Sequence, residues 1–120
     1  MKIIWSNFAS ETLRNIYNYH KIVAGLNVAG KIKTSILSTA KQLMKQPDSG
    51  QIEMSLEKIG EGHRYLVDGN YKIVYKKVKE GILITDVFDT RQDPIKINDS
   101  KRKPNHNQQD LSAGGAEVQF

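Results

Sequence analysis

The stretch from His63 to Asp89 constrains the fold more than any other part of the chain. Three runs rich in β-branched and aromatic residues follow one another there: "HRYLVD" (63–68), "NYKIVYKKV" (70–78) and "GILITDVFD" (81–89). Only "DGN" (68–70) and "KEG" (79–81) separate them, and both are short hairpin-turn chemistry. Strands joined so tightly pair antiparallel, because a parallel crossover needs a dozen residues or more. The middle run alternates Tyr71, Ile73 and Tyr75 with Lys72 and Val74, which places the first three on a common face toward a core. Lys72, Lys76, Lys77 and Lys79 make this run basic, which reads either as a ligand surface or as protection of a sheet edge.

The residues before the meander are helical in pattern. "KIIWS" (2–6) is a short β-prone run able to join the sheet. Asn7 and Ser10 stand where a helix is capped, and Leu13, Ile16, Tyr17 and His20 then fall at the spacing of an amphipathic helix. Gly25 reads as a stop and Asn27 as a restart. A second helix carries Val28, Ala29, Ile32, Ile36, Ala40 and Leu43 on one stripe, with Lys31, Lys33 and Lys41 on its other side. Pro47 and Gly50 in "KQPDSGQ" (45–51) end this helix hairpin, and from Met54 the pattern turns extended. The expected order is β-α-α-β-β-β. The class is α+β, a helix hairpin packed on a small, mainly antiparallel sheet.

Residues 1–97 form the expected domain, and 98–120 a polar tail. The tail is rich in Asn, Gln, Lys and Gly, so it buries too little to offset ordering entropy and is expected to be disordered, or to order on a partner. The formal charge is +5, and residues 1–97 hold 15 Lys/Arg against 10 Asp/Glu, whereas 98–120 hold 3 of each. A basic domain suits a polyanion or an acidic protein partner, although a solvated lysine surface has the same composition. Cysteine is absent, which removes disulfides and thiolate chemistry and fits a reducing compartment. The apolar run at 3–5 is too short for a signal peptide or a membrane span, so a cytoplasmic, soluble protein without membrane contact is expected. His20, His63 and His106 lack metal-ligand spacing, "GEG" (60–62) lacks the context of a phosphate loop, and "NDS" (98–100) matches a glycosylation acceptor only formally. No metal or cofactor is expected.

One ordered set of short motifs spans most of the chain: Trp5-Ser6, the spacing to Leu13 and Ile16-Tyr17, "PDSG" (47–50), "RYL" (64–66), "NYKIVY" (70–75) and "VFDTRQDP" (87–94). Over roughly residues 2–97 this set resembles the RelE/ParE family of toxins from bacterial type II toxin–antitoxin modules. The resemblance implies a small basic toxin, associated with growth inhibition and plasmid stabilisation and neutralised by a cognate antitoxin. It also implies one of two activities. RelE-like members cleave messenger RNA in the ribosomal A site, whereas ParE-like members inhibit DNA gyrase.

The residues favour the second branch. A metal-free ribonuclease must activate a 2′-hydroxyl, stabilise a pentavalent phosphate and protonate the leaving oxygen. By the resemblance Lys72 stands where the family usually has Arg, and Arg91 stands where an arginine follows the last strand. Both could hold phosphate. His63, Arg64 and Tyr65 stand where the nuclease branch shows a lysine pair, and Ile97 stands where its acid Tyr is expected. His63 and Tyr65 alternate onto one strand face and offer substitute acid–base groups. Otherwise His63 is an exposed strand-edge histidine, and Arg91 a strand-tip arginine pairing Asp89 or Asp93. The expected catalytic set for a RelE-like enzyme is thus Lys72, Arg91 and His63. For a ParE-like toxin the target- or antitoxin-facing basic surface is Arg64, Lys72, Lys76 and Arg91. A module member that only binds its partner is a third possibility.

Overall fold

The computed structural model of the chain describes residues 2–91, 97 and 108–110. Asp93, Pro94, His106, the "NDS" triplet and most of the 98–120 tail lie outside the described residues. The strands are β1 (Lys2–Ser6), β2 (Gln51–Ile52), β3 (Arg64–Asp68), β4 (Tyr71–Val78), β5 (Gly81–Asp89) and β6 (Gln108–Asp110), and the helices are α1 (Asn7–Ala24) and α2 (Leu26–Lys41). They form one mixed sheet in the order β2-β3-β4-β5-β1-β6, with the helix hairpin on one face. The three meander strands occur where the sequence places them, and β1 joins parallel to β5, with Lys2 opposite Gly81 and Trp5 opposite Ile84. The architecture is the expected α+β one, extended by two very short strands.

Local chemistry explains the element boundaries. Ser6 caps α1, its hydroxyl accepting from the Ala9 N–H at 3.0 Å, so the helix starts one residue before the expected caps and Asn7 is already helical. Gly25, at φ 93°, ends α1 and starts α2: its N–H donates to the Lys21 carbonyl, and its own carbonyl accepts from Ala29. Asn27 therefore lies inside α2 and does not restart it. Residues 54–59 also depart from expectation, forming a 3-10 helix rather than extended chain. The Glu53 carboxylate accepts from the Ser55 N–H at 3.1 Å and nucleates that turn, and Gly60, at φ 73°, closes it. In the tail, Gln108–Asp110 pair with β1, where the composition led to no strand at all.

The core lies between the helices and the sheet. Ile3, Trp5, Leu13, Ile36, Leu43, Ile73, Tyr75, Ile82, Ile84 and Val87 are fully buried there. Of the expected α2 stripe, Ala29, Ile36, Ala40 and Leu43 are buried and Ile32 packs at the edge, but Val28, one residue before the fully buried Ala29, turns outward and is 42% exposed. A β-bulge keeps β5 in phase with this core. Val74 pairs with Asp86 and Tyr75 with Ile84, which leaves Thr85 unopposed, its hydroxyl donating to the Val74 carbonyl at 3.3 Å. The extra residue lets Ile82, Ile84 and Val87 all face the helices. On the outer face a smaller cluster joins Leu56, Val74, Phe88 and Ile97.

Candidate functional site

Strand alternation divides the expected site residues between the two faces of the sheet. Lys72 lies opposite Phe88 on the outer face. Its ammonium pairs with Glu53 at 2.9 Å and lies 4.3 Å from the centroid of the Tyr65 ring. Glu53 is only 3% exposed, so this lysine neutralises a buried carboxylate. Lys76 pairs with Glu61 at 3.0 Å. The lysines of β4 do not protect an edge, because β4 is an inner strand between β3 and β5.

His63 just precedes β3 and is buried, with no hydrogen-bond partner for Nδ1 among the described residues. Both sequence alternatives placed it at an accessible strand position, but the 3-10 segment folds over it: the Glu53 N–H donates to its carbonyl at 2.9 Å. Burial holds the imidazole below its usual pKa and Lys76 lowers it further, against the opposing pull of Glu61 and Glu53. Ile97, at the position where the RelE-like branch has an acid Tyr, joins the apolar cluster with Leu56, Val74 and Phe88.

Arg64 and Arg91 lie on the helix side. Arg64 is opposite Tyr75 and donates to the Gly50 carbonyl at 2.9 Å. Arg91 makes a two-pronged pair with Asp89, Nε to Oδ1 at 2.9 Å and Nη2 to Oδ2 at 2.7 Å, and its backbone N–H also meets Oδ1 at 2.9 Å. The pair is that of a strand-tip arginine bracing its turn. The Arg91 guanidinium holds the Asp89 carboxyl below the usual range and is itself pushed up by that carboxylate. Asp89 lies opposite Tyr71, whose hydroxyl meets His20 Nε2 at 2.8 Å and is pushed up chiefly by burial and then by Asp89. Arg91 therefore belongs with Tyr71 and Asp89, and Lys72 with Phe88 and Glu53. The structure does not bring Lys72, Arg91 and His63 to one site, and it divides the expected basic surface into Arg64 and Arg91 on one side and Lys72 and Lys76 on the other.

A different feature surrounds Arg91. An open cleft of about 700 Å³ runs between α1 and the end of β5, lined by Phe8, Glu11, Thr12, Asn15, Ile16 and Tyr19 on the helix and by Tyr71, Val87, Asp89 and Arg91 on the sheet. From Tyr19 at its rim an exposed apolar stripe of α1 continues through Ile22 and Val23 to Leu26 at the hairpin turn; these four are 58–82% exposed. The expected helix spacing takes in only Leu13, Ile16, Tyr17 and His20. The spacing 19, 22, 23 held the missing signal, since it gives the helix two apolar faces rather than one. Beyond Glu11 the hairpin carries no acid: residues 12–47 contain six Lys/Arg and no Asp or Glu. Among the described residues no group of three or more His, Cys, Asp or Glu side chains could hold a metal ion, and no helix is long and apolar enough to cross a membrane.

Residues 3–94 match the family described as the ParE toxin of the type II toxin-antitoxin system, parDE. The chain belongs to the ParE toxin family. No curated protein matches it. A solved structure described as the chromosomal ParDE TA system from P. aeruginosa shares this ParE-like fold, with a TM-score of 0.63 at 19% sequence identity, over 74% of this chain and 95% of that one. The ParE-family match thus takes in β1, the hairpin, the meander, Arg91 and the cleft around it, and it ends before β6.

Proposed function

We propose that this ParE-family toxin acts by binding a protein target, DNA gyrase, and that a cognate antitoxin neutralises it. The observation that carries this reading is the separation of Lys72 from Arg91 by the thickness of the sheet. Phosphoryl chemistry needs its cations and its acid–base groups converging within hydrogen-bond reach of one phosphate. Here Lys72 is tied to a buried carboxylate, His63 is covered, and Ile97 offers no proton. Recognition of a protein needs instead an accessible, partly apolar concave surface with a few oriented charges. The α1 cleft, the stripe beside it and the basic stretch 12–47 of the hairpin provide these features. An antitoxin segment laid over the hairpin and cleft would match them as an acidic amphipathic helix or an extended acidic strand, its apolar side chains on Tyr19 and Ile22 and a carboxylate near Arg91.

The test is a supercoiling assay with purified gyrase. Inhibition is expected, and it is expected to be lost in an Ile22→Asp variant that keeps its fold, because Ile22 is 82% exposed. No inhibition at a large excess of toxin would remove gyrase as the target. A-site cleavage of messenger RNA on translating ribosomes, dependent on Lys72 and Arg91, would replace this reading with a RelE-like ribonuclease.

A further inference from the structure

We propose that Gln108–Asp110 form a built-in edge cap, which keeps β1 from pairing with β1 of a second copy of this chain. β1 is the strand most exposed to that hazard. Its sequence, Lys-Ile-Ile-Trp-Ser, combines strong β propensity with a single charge and no proline, the composition of a strand that pairs readily with its own kind. One edge of β1 is taken by β5 in a parallel ladder. The other would present the backbone groups of Ile4, Trp5 and Ser6 at the end of the sheet, and a row of unpaired donors and acceptors is a template for a further strand. β6 occupies that edge, with Gln108 opposite Ser6, Gln109 opposite Trp5 and Asp110 opposite Ile4, in antiparallel register.

The opposite end of the sheet is managed differently. There β2 covers Arg64 and Tyr65 only, and β3 ends on Asp68, which accepts a hydrogen bond from Ser35 of α2 at 2.8 Å. A short strand, a charge and a neighbouring helix blunt that edge without any added segment. The β1 edge has no comparable charge at Ile4, Trp5 or Ser6. Its cover comes from residues beyond the family match, which ends at 94. The cap thus lies outside the matched residues, on the edge of β1 that β5 does not take. The competing occupant is a second copy: an antiparallel β1–β1 pair across a two-fold axis is self-complementary and would join two sheets into one.

The experiment uses the full chain with Gln108→Pro and Gln109→Pro as separate variants. Proline removes a backbone donor, and in an antiparallel ladder successive residues point their N–H groups to opposite sides, so one of the two variants loses a donor aimed at β1. Amide hydrogen exchange at Ile4–Ser6 and mass by light scattering across a concentration series are the readouts, with circular dichroism to confirm that the rest of the fold persists. The wild type is expected to stay monomeric. At least one variant is expected to exchange about 10-fold or more faster at one of those amides at low concentration, and to dimerise as concentration rises. Unchanged exchange in both variants would overturn the cap. Faster exchange with no association would overturn its protective role, as would a wild-type dimer formed through β1.

Discussion

Replacing Arg91 with Gln removes both side-chain donors from the Asp89 carboxylate and leaves only the backbone N–H. The native Asp89 carboxyl is held below its ordinary value of 3.8, first by the Arg91 side chain. A lowered carboxylate pKa stabilises the fold above the unfolded value and ceases to do so as pH falls through the native one. Titration of Asp89 followed by carbon-13 NMR is therefore expected to give a midpoint below 3.8 in the wild type and a higher one in Arg91→Gln. His63 works at a different pH. Its lowered pKa means that the unfolded chain binds the proton first, so stability is complete above 6.5 and declines as pH falls from there to the native pKa. One such group contributes a slope of at most about 1.4 kcal/mol per pH unit. Thermal melts between pH 7.5 and 5 are expected to show the wild type losing stability and a His63→Leu variant losing less; an equal slope would contradict the buried neutral ring. The alternation of Tyr71, Ile73 and Tyr75 against Lys72 and Val74 was legible in the sequence, because a strand fixes side-chain direction at every second residue. The partners of Lys72 and His63 were not. They come from Glu53 and the 3-10 segment, whose folding back over the sheet is a tertiary event with only a capping carboxylate to announce it.

At the scale of elements, the joint between β1 and β5 leaves no room for a side chain at Gly81. Gly81 lies opposite Lys2 at φ 150°, and a Cβ there would strike the Lys2 carbonyl oxygen and come within 3.0 Å of its nitrogen. Gly81→Ala is expected to destabilise the protein by about 1–3 kcal/mol, measured by urea unfolding, whereas Gly60→Ala meets open space and costs only its left-handed backbone conformation. The meander boundaries followed directly from turn residues, since "DGN" and "KEG" allow little else. The bulge at Thr85 and the parallel partner of β1 carried no such signal. A bulge depends on which of two phases packs better against the helices, and a strand's partner depends on the packing of the whole sheet.

For the molecule as a whole, the single tryptophan reports on the core that every large element shares. Trp5 is 1% exposed and belongs to the cluster built from α1, α2, β4 and β5. Fluorescence and circular dichroism melts are expected to superimpose as one two-state transition; a hairpin that melted ahead of the sheet would separate them. The β1–β5 pair has a further consequence, in time rather than space. Lys2 leaves the ribosome 79 residues before its partner Gly81, which at 5–20 residues per second is about 4 to 16 s of waiting. Through that interval the N-terminal strand has no place in its sheet, and the cleft framed by α1 and the end of β5 has no second wall. The cleft cannot exist on a nascent chain until the meander has been synthesised, so whatever binds there must wait until β5 closes on β1.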